Sequence, residues 1–205
     1  SEGRNNLVAG CRIRNIGRSG VTIDGGFRHC VAGSDISDIG GAGIRLSGGN
    51  WKKLIPSRHL VENNYICRFN RLGGGPGVSV MGIGNRVSHN LITDTPHQAI
   101  VFDYNNHVIE YNEIYDVVSE AKDAGVIYIY GAQKSFVSRG NVIRYNFIHH
   151  ITEHSSVVPY VNPGITGIYI DALNGGITMK GNIFYRNTGT AIFTHGPDSR
   201  VEDNI

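Results

Sequence analysis

The chain has 205 residues, 28 of them glycine, and a net charge of +2 from 19 Lys and Arg against 17 Asp and Glu. Its 25 Ile and 18 Val against 7 Leu and 9 Ala exclude a helical bundle, because β-branched side chains suit pleated strands while Leu and Ala suit helices. No basic block and no apolar run near the ~18 residues of a membrane span occur, so neither a nucleic-acid nor a membrane partner is expected.

Taken in chain order, one phrase recurs. An aliphatic residue, two variable residues, a small polar residue, one variable residue and an apolar residue begin at Val8, Val31, Val61, Val87, Ile109, Ile143, Met179 and Val201. The polar position holds Cys11 and Ser34, then Asn64, Asn90, Asn112, Asn146, Asn182 and Asn204. Successive starts are 23, 30, 26, 22, 34, 36 and 22 residues apart. A second phrase, a small residue before an apolar–variable–apolar triplet, follows each first one. It reads from Gly20, Gly43, Gly77, Ala99, Gly125, Gly167 and Thr190. Alternation over so few residues is the strand period.

Short strands repeating at these intervals predict an all-β fold, a right-handed parallel β-helix of seven to eight turns that stack at roughly 4.8 Å. Leucine-rich repeats lack their Leu framework here, and a propeller blade needs ~40 residues. Inward Ile and Val build a continuous column, and the Asn residues stack as a hydrogen-bonded ladder at a bend. The extra residues of the longer turns leave the coil at Asn50 to Arg58, Glu120 to Lys122 and Glu153 to Pro163. Residues 1–205 read as one repeat domain whose ends cut through the pattern, so a piece of a longer protein is expected.

Columns of equal offset sort the polar residues. Asn15, Asp38, Arg68, Asp94, Asp116, His150 and Arg186 share one column and suit turn backbone. Four places after the small residue, Asp103 and Asp171 face outward two turns apart, roughly 9–10 Å between backbones. That suits the acid and base of an inverting glycosidase, which need about 6.5–9.5 Å between carboxyl groups. Two places before the small residue, His97 and Asp123 are expected as neighbours, able to tune each other and share a proton. Glu120 adds a carboxylate near that mouth. Outward Tyr169 offers an aromatic face to a sugar ring; Tyr128 reads as inward by its alternation, yet stays with Tyr169, Glu120 and His195 among the substrate-binding candidates. His149, His150 and His154 lack converging partners, so no metal or other cofactor is expected, calcium on carboxylates being the exception kept open. Cys11, Cys30 and Cys67 form neither a disulfide framework nor a ligand set.

The stretches Gly84 to Ile92 (GNRVSHNLI), Pro96 to Ile100 (PHQAI) and His107 to Ile114 (HVIEYNEI) resemble right-handed β-helix proteins of bacterial carbohydrate degradation. Asp123 to Tyr128 (DAGVIY), Arg139 to His149 (RGNVIRYNFIH) and Gly167 to Asp171 (GIYID) strengthen the likeness. It is nearest to glycoside hydrolase family 141, which includes fucosidase and xylanase activities. The resemblance implies a secreted or periplasmic enzyme acting on a polysaccharide or oligosaccharide, with Asp123 and Asp171 as its acid and base or nucleophile. These two stand six residues apart along adjacent turns, so a bulge or bend around Ala124-Gly125 has to bring them together. Asp103 and His97 are the geometric substitutes. A polysaccharide lyase or uronate epimerase is the first alternative, since Asp94-Thr95-Pro96-His97 is loosely similar to the Asp-Pro-His phrase of epimerases. A non-catalytic glycan-binding or structural β-helix is the second. Sugar, linkage, stereochemical outcome and oligomeric state are left open by the sequence.

Overall fold

A computed structural model describes residues 3–73, 75–121, 123–129, 131, 139–152, 164–172 and 174–205. Its described residues form 22 strands and no helix. The strands assemble into three parallel sheets of eight, seven and seven strands, and each turn of the chain gives one strand to each sheet in succession. This is the expected right-handed parallel β-helix. Of the three segments expected to leave the coil, Asn50 to Arg58 is closed by an antiparallel bridge between Asn50 and Ile55. Glu153 to Pro163 and Lys122 lie outside the described residues.

The register of the first two sheets follows the recurring phrase. Val8, Val31, Val61, Val87, Ile109, Ile143, Met179 and Val201 pair in one continuous row. Ile13, Ile36, Ile66, Ile92, Ile114, Ile148 and Phe184 form the matching row of the second sheet. The members in the middle turns are buried and make one core with the third sheet's aliphatic row. That third row is Val21, Ile44, Val78, Ile100, Ile127, Ile168 and Ile192. Here the counting from small residues errs twice by one place. Val126, not Gly125, is level with Gly167 because the fifth turn has no small residue at that corner, and Ala191, not Thr190, follows it because the seventh turn has two small residues in a row.

Each turn has three corners, and each corner is a residue in the left-handed region. Between the first and second sheets the corner is Gly10, Gly33, Asn63, His89, Tyr111, Tyr145, Gly181 and Asp203 in successive turns. Between the second and third sheets it is Asn15, Asp38, Arg68, Asp94, Asp116, His150 and Arg186, all at φ between 48° and 58°. The turn role expected for that column is therefore met by the backbone itself. Asp38 and Arg68 add a bidentate ion pair of 2.7 and 2.9 Å across neighbouring turns, and the Arg68 hydrogen bond pulls the Asp38 carboxyl down to about 2.

The Asn ladder forms as expected. Asn90 Oδ1 accepts from the Asn64 backbone N (3.0 Å) and Nδ2 (2.9 Å), while Asn90 Nδ2 donates to Val61 O (3.1 Å) and Asn112 Oδ1 (3.0 Å). Asn112, Asn146, Asn182 and Asn204 repeat the pattern. A second buried ladder runs along the corner between the third and first sheets. His29 Nδ1, His59 Nδ1, Asn85 Oδ1, His107 Nδ1 and Asn141 Oδ1 each accept the backbone N–H of the residue one turn before. The sequence signal was a His or Asn two places before the first-phrase aliphatic, diluted because Ile177 and Ser199 break it.

Both ladders generate predictions. Asn112→Ala removes the acceptor of the Asn90 backbone N and leaves Val87 O and Asn146 Oδ1 short of a donor. It should cost about 3–5 kcal/mol, as buried polar groups lose partners, whereas Asp116→Asn at an exposed corner should stay within about 0.5 kcal/mol. Urea unfolding midpoints at constant slope check the contrast. His59 and His107 are pulled down to about 4, chiefly by burial, so the folded state keeps them neutral while the unfolded chain titrates near the ordinary 6.5. Their stabilisation is complete above pH ~6.5 and is lost as pH falls towards 4, because the unfolded state then binds more protons. Unfolding free energy should fall by a few kcal/mol across that window. His107→Asn, which keeps the acceptor in the ladder, should flatten the loss when melts are compared at pH 7 and pH 4.5.

Candidate functional site

The third sheet builds the site through two outward columns. One is Arg45, Ser79, Val101, Tyr128, Tyr169 and Phe193. Tyr128 thus shares the face of Tyr169 and is not inward, a correction that follows from the Val126 register. The other column lies two residues on. There Asp103 and Asp171 are two turns apart as expected, and His195, rather than Thr194, neighbours Asp171.

Asp123 enters from the preceding corner at φ 49°. Behind it the chain bends at Gly125, where a Cβ would lie 2.9 Å from Ile127 O and 2.6 Å from Tyr169 Cβ. The bend that the sequence required is therefore present, and only glycine fits it. It lets two tyrosines on adjacent turns reach in opposite directions. The Tyr128 hydroxyl donates to Asp171 Oδ2 at 3.0 Å, and the Tyr169 hydroxyl donates to Asp123 Oδ1 at 3.2 Å, with ring centroids 5.2 Å apart. The Tyr169 hydroxyl stands against Asp171 as well. Burial, followed by the adjacent carboxylates, pushes both phenols far above their ordinary value, so both stay protonated donors.

Asp171 has further partners. Its Oδ1 accepts from the Ala172 backbone N at 2.6 Å and lies 3.2 Å from His195 Nδ1. Its side chain is 16% exposed, against 46% for His195. Phe193 packs edge-on to Tyr169 at 5.3 Å and to His195 at 4.7 Å, which closes an aromatic wall beside the carboxylates.

The other candidates are not drawn in. Asp103 is buried, and its Oδ1 accepts from the Tyr104 backbone N at 2.7 Å. His97 is level with Ala124, one place from the expected pairing with Asp123, and its Nδ1 meets Gln98 Oε1 instead. No hydrogen bond joins His97 to Asp123, and burial lowers its pKa. Glu120 is exposed; its backbone N donates to Pro96 O at 3.1 Å, and its carboxylate bonds to none of the site groups. Among the described residues, no group of three or more His, Cys, Asp or Glu could hold a metal ion. His149 and His150 pack with Tyr115, Phe147 and Tyr185 on the second sheet, away from this site, and His154 lies outside the described residues.

Comparisons with known proteins agree with this architecture. A solved glycoside hydrolase superposes with a TM-score of 0.66 at 16% identity, which is a likeness of fold. The match covers 98% of this chain and 38% of that one, so the chain spans little more than a third of that protein's length. No curated protein matches the sequence. The family described as "Right handed beta helix region" matches residues 1–205, and the chain belongs to it.

Proposed function

We propose that the protein is a glycoside hydrolase that cleaves a polysaccharide or complex glycan with Asp123 and Asp171 on the third sheet's outer face. The observation that carries this reading is the pair of carboxylates from adjacent turns crossed by the Tyr128 and Tyr169 hydroxyls. Asp171, accepting from Tyr128 and the Ala172 amide with His195 alongside, is the fixed carboxylate that attacks the sugar or activates water. Asp123, exposed and held by one hydroxyl, carries the proton to the leaving oxygen. The separation of the two carboxylates in the substrate complex decides between double displacement and direct attack by water. Asp103, two turns away and facing its own backbone, is left out of the reacting pair. Tyr169 is buried at 3% exposure, so the aromatic face expected of it is not open to a sugar; half-buried Phe193 offers the apolar wall instead.

The likeness to a solved glycoside hydrolase supports the reaction class. Both phenols are held protonated, so neither tyrosine is the base of an elimination.

The test is a screen of plant and host glycans with the full-length protein, read for new reducing ends. Asp171→Asn and Asp123→Asn should each lower kcat by about 10³-fold or more, and Tyr169→Phe by about 10–100-fold, with melting temperatures unchanged. Proton NMR of the first-formed sugar assigns retention or inversion. Products absorbing in the ultraviolet as unsaturated sugars, or full activity in both aspartate variants, would overturn the assignment.

A further inference from the structure

Charge is uneven along the chain. Residues 1–73 hold eleven Lys and Arg against five Asp and Glu, and the remainder holds eight against twelve. Several arginines are neutralised by carboxylates: Arg12 by Asp35, Arg68 by Asp38, Arg86 and Arg144 by Glu110, and Arg139 by Asp198. Among the described residues, Arg4, Arg28 and Arg58 have no such partner. They are exposed and line one cavity of about 430 Å³ together with Phe27, Ile55 and Pro56, and among the described residues no carboxylate borders it. The Arg4 guanidinium lies 5.2 Å from the Phe27 ring centroid.

The backbone makes the two central arginines harder to explain as turn residues. Arg28 and Arg58 sit at φ 56° and 57° in the corner column whose other members are Asn5, Gly84, Asn106, Gly140, Gly176 and Asp198. Glycine and short polar side chains suit that conformation, and a long cation gains nothing from it. Three arginines lining one cavity with no carboxylate among its described lining residues fit carboxylate or sulfate, which guanidinium binds bidentately. The segment from Asn50 to Arg58 continues from this cavity to Trp51, whose ring centroid is 6.0 Å from that of Tyr104, the neighbour of Asp103. Trp51 and Tyr104 thus pair as an aromatic surface on the segment that supplies Ile55, Pro56 and Arg58 to the cavity, and the column of Asp171 is roughly 20 Å from the cavity along the stacked turns.

We propose that Arg4, Arg28 and Arg58 form an anion subsite that binds the carboxylate or sulfate groups of an acidic glycan, with Phe27 and Trp51 carrying its sugar faces. The subsite stands on its own residues; that its ligand is also the chain cut at Asp123 and Asp171 rests on the function proposed above.

Trp51 is the chain's one tryptophan, so its fluorescence reports binding beside the cavity. The full chain is titrated with an oligogalacturonate, a sulfated dextran oligosaccharide and unmodified dextran of the same length. At least one acidic ligand should bind tenfold or more tightly than the neutral one, and the relative strength of the two identifies carboxylate or sulfate. The Arg28→Asn/Arg58→Asn double variant, which uses a residue already present in the corner column, should lose that advantage while Asp171→Asn keeps it. Equal affinity for acidic and neutral sugars, or an unchanged double variant with an unchanged melt, overturns the proposal. So does single-stranded DNA of equal charge binding as tightly as the acidic glycan. An acidic glycan that binds as expected and is never cleaved leaves the subsite standing and removes the hydrolase assignment instead.

Discussion

Everything in this molecule depends on keeping the turns in register, and that constraint is enforced by buried amides and imidazoles rather than by the aliphatic core. A column of Val and Ile is indifferent to which turn sits beside which, because its burial is non-directional. A side-chain carbonyl that must accept a particular backbone N–H one turn away is not indifferent. Asn64 to Asn204 impose this at one corner, and the His29 to Asn141 series imposes it at another. A slip of one residue would bury these groups without partners, a loss large enough to oppose it.

Register at the corners becomes geometry at the surface. Among the described residues the third sheet carries no side-chain ladder of its own, yet its row is fixed because each strand follows a corner that is. Tyr128 and Tyr169 therefore stand side by side, and the bend at Gly125 admits Asp123 beneath Tyr169. The carboxylates are set by residues whose own positions were already determined by stacking, which is how a scaffold of small repeats pre-organises a polar site.

Much of this was legible in the sequence and some of it was not, for identifiable reasons. The Val8 to Val201 row, the Ile13 to Phe184 row and the Asn ladder could be read because every turn repeats them with the same residue types. The third sheet could not be counted correctly through its fifth turn, since Val126 replaces the small residue that marks the corner elsewhere. That single substitution turned Tyr128 inward on paper and made His97 a neighbour of Asp123. The need for a bend near Ala124-Gly125 was visible; the crossing of the tyrosine hydroxyls that uses it was not, because side-chain direction around a bend carries no sequence period. The imidazole ladder was hidden by mixing His with Asn, two residues that share an acceptor and little else.

The central claim is that stacking alone aligns Tyr128 with Tyr169 and so poises the carboxylates. It is tested most directly by trapping the register as a covalent link in a background lacking Cys11, Cys30 and Cys67. Aligned residues on neighbouring strands have Cα atoms about 4.8 Å apart, within the range a disulfide spans, while a partner two residues further on lies beyond it. Under mild oxidation Tyr128→Cys/Tyr169→Cys should close quickly and Tyr128→Cys/Asp171→Cys should not. Closure of the second pair in preference to the first would contradict the account.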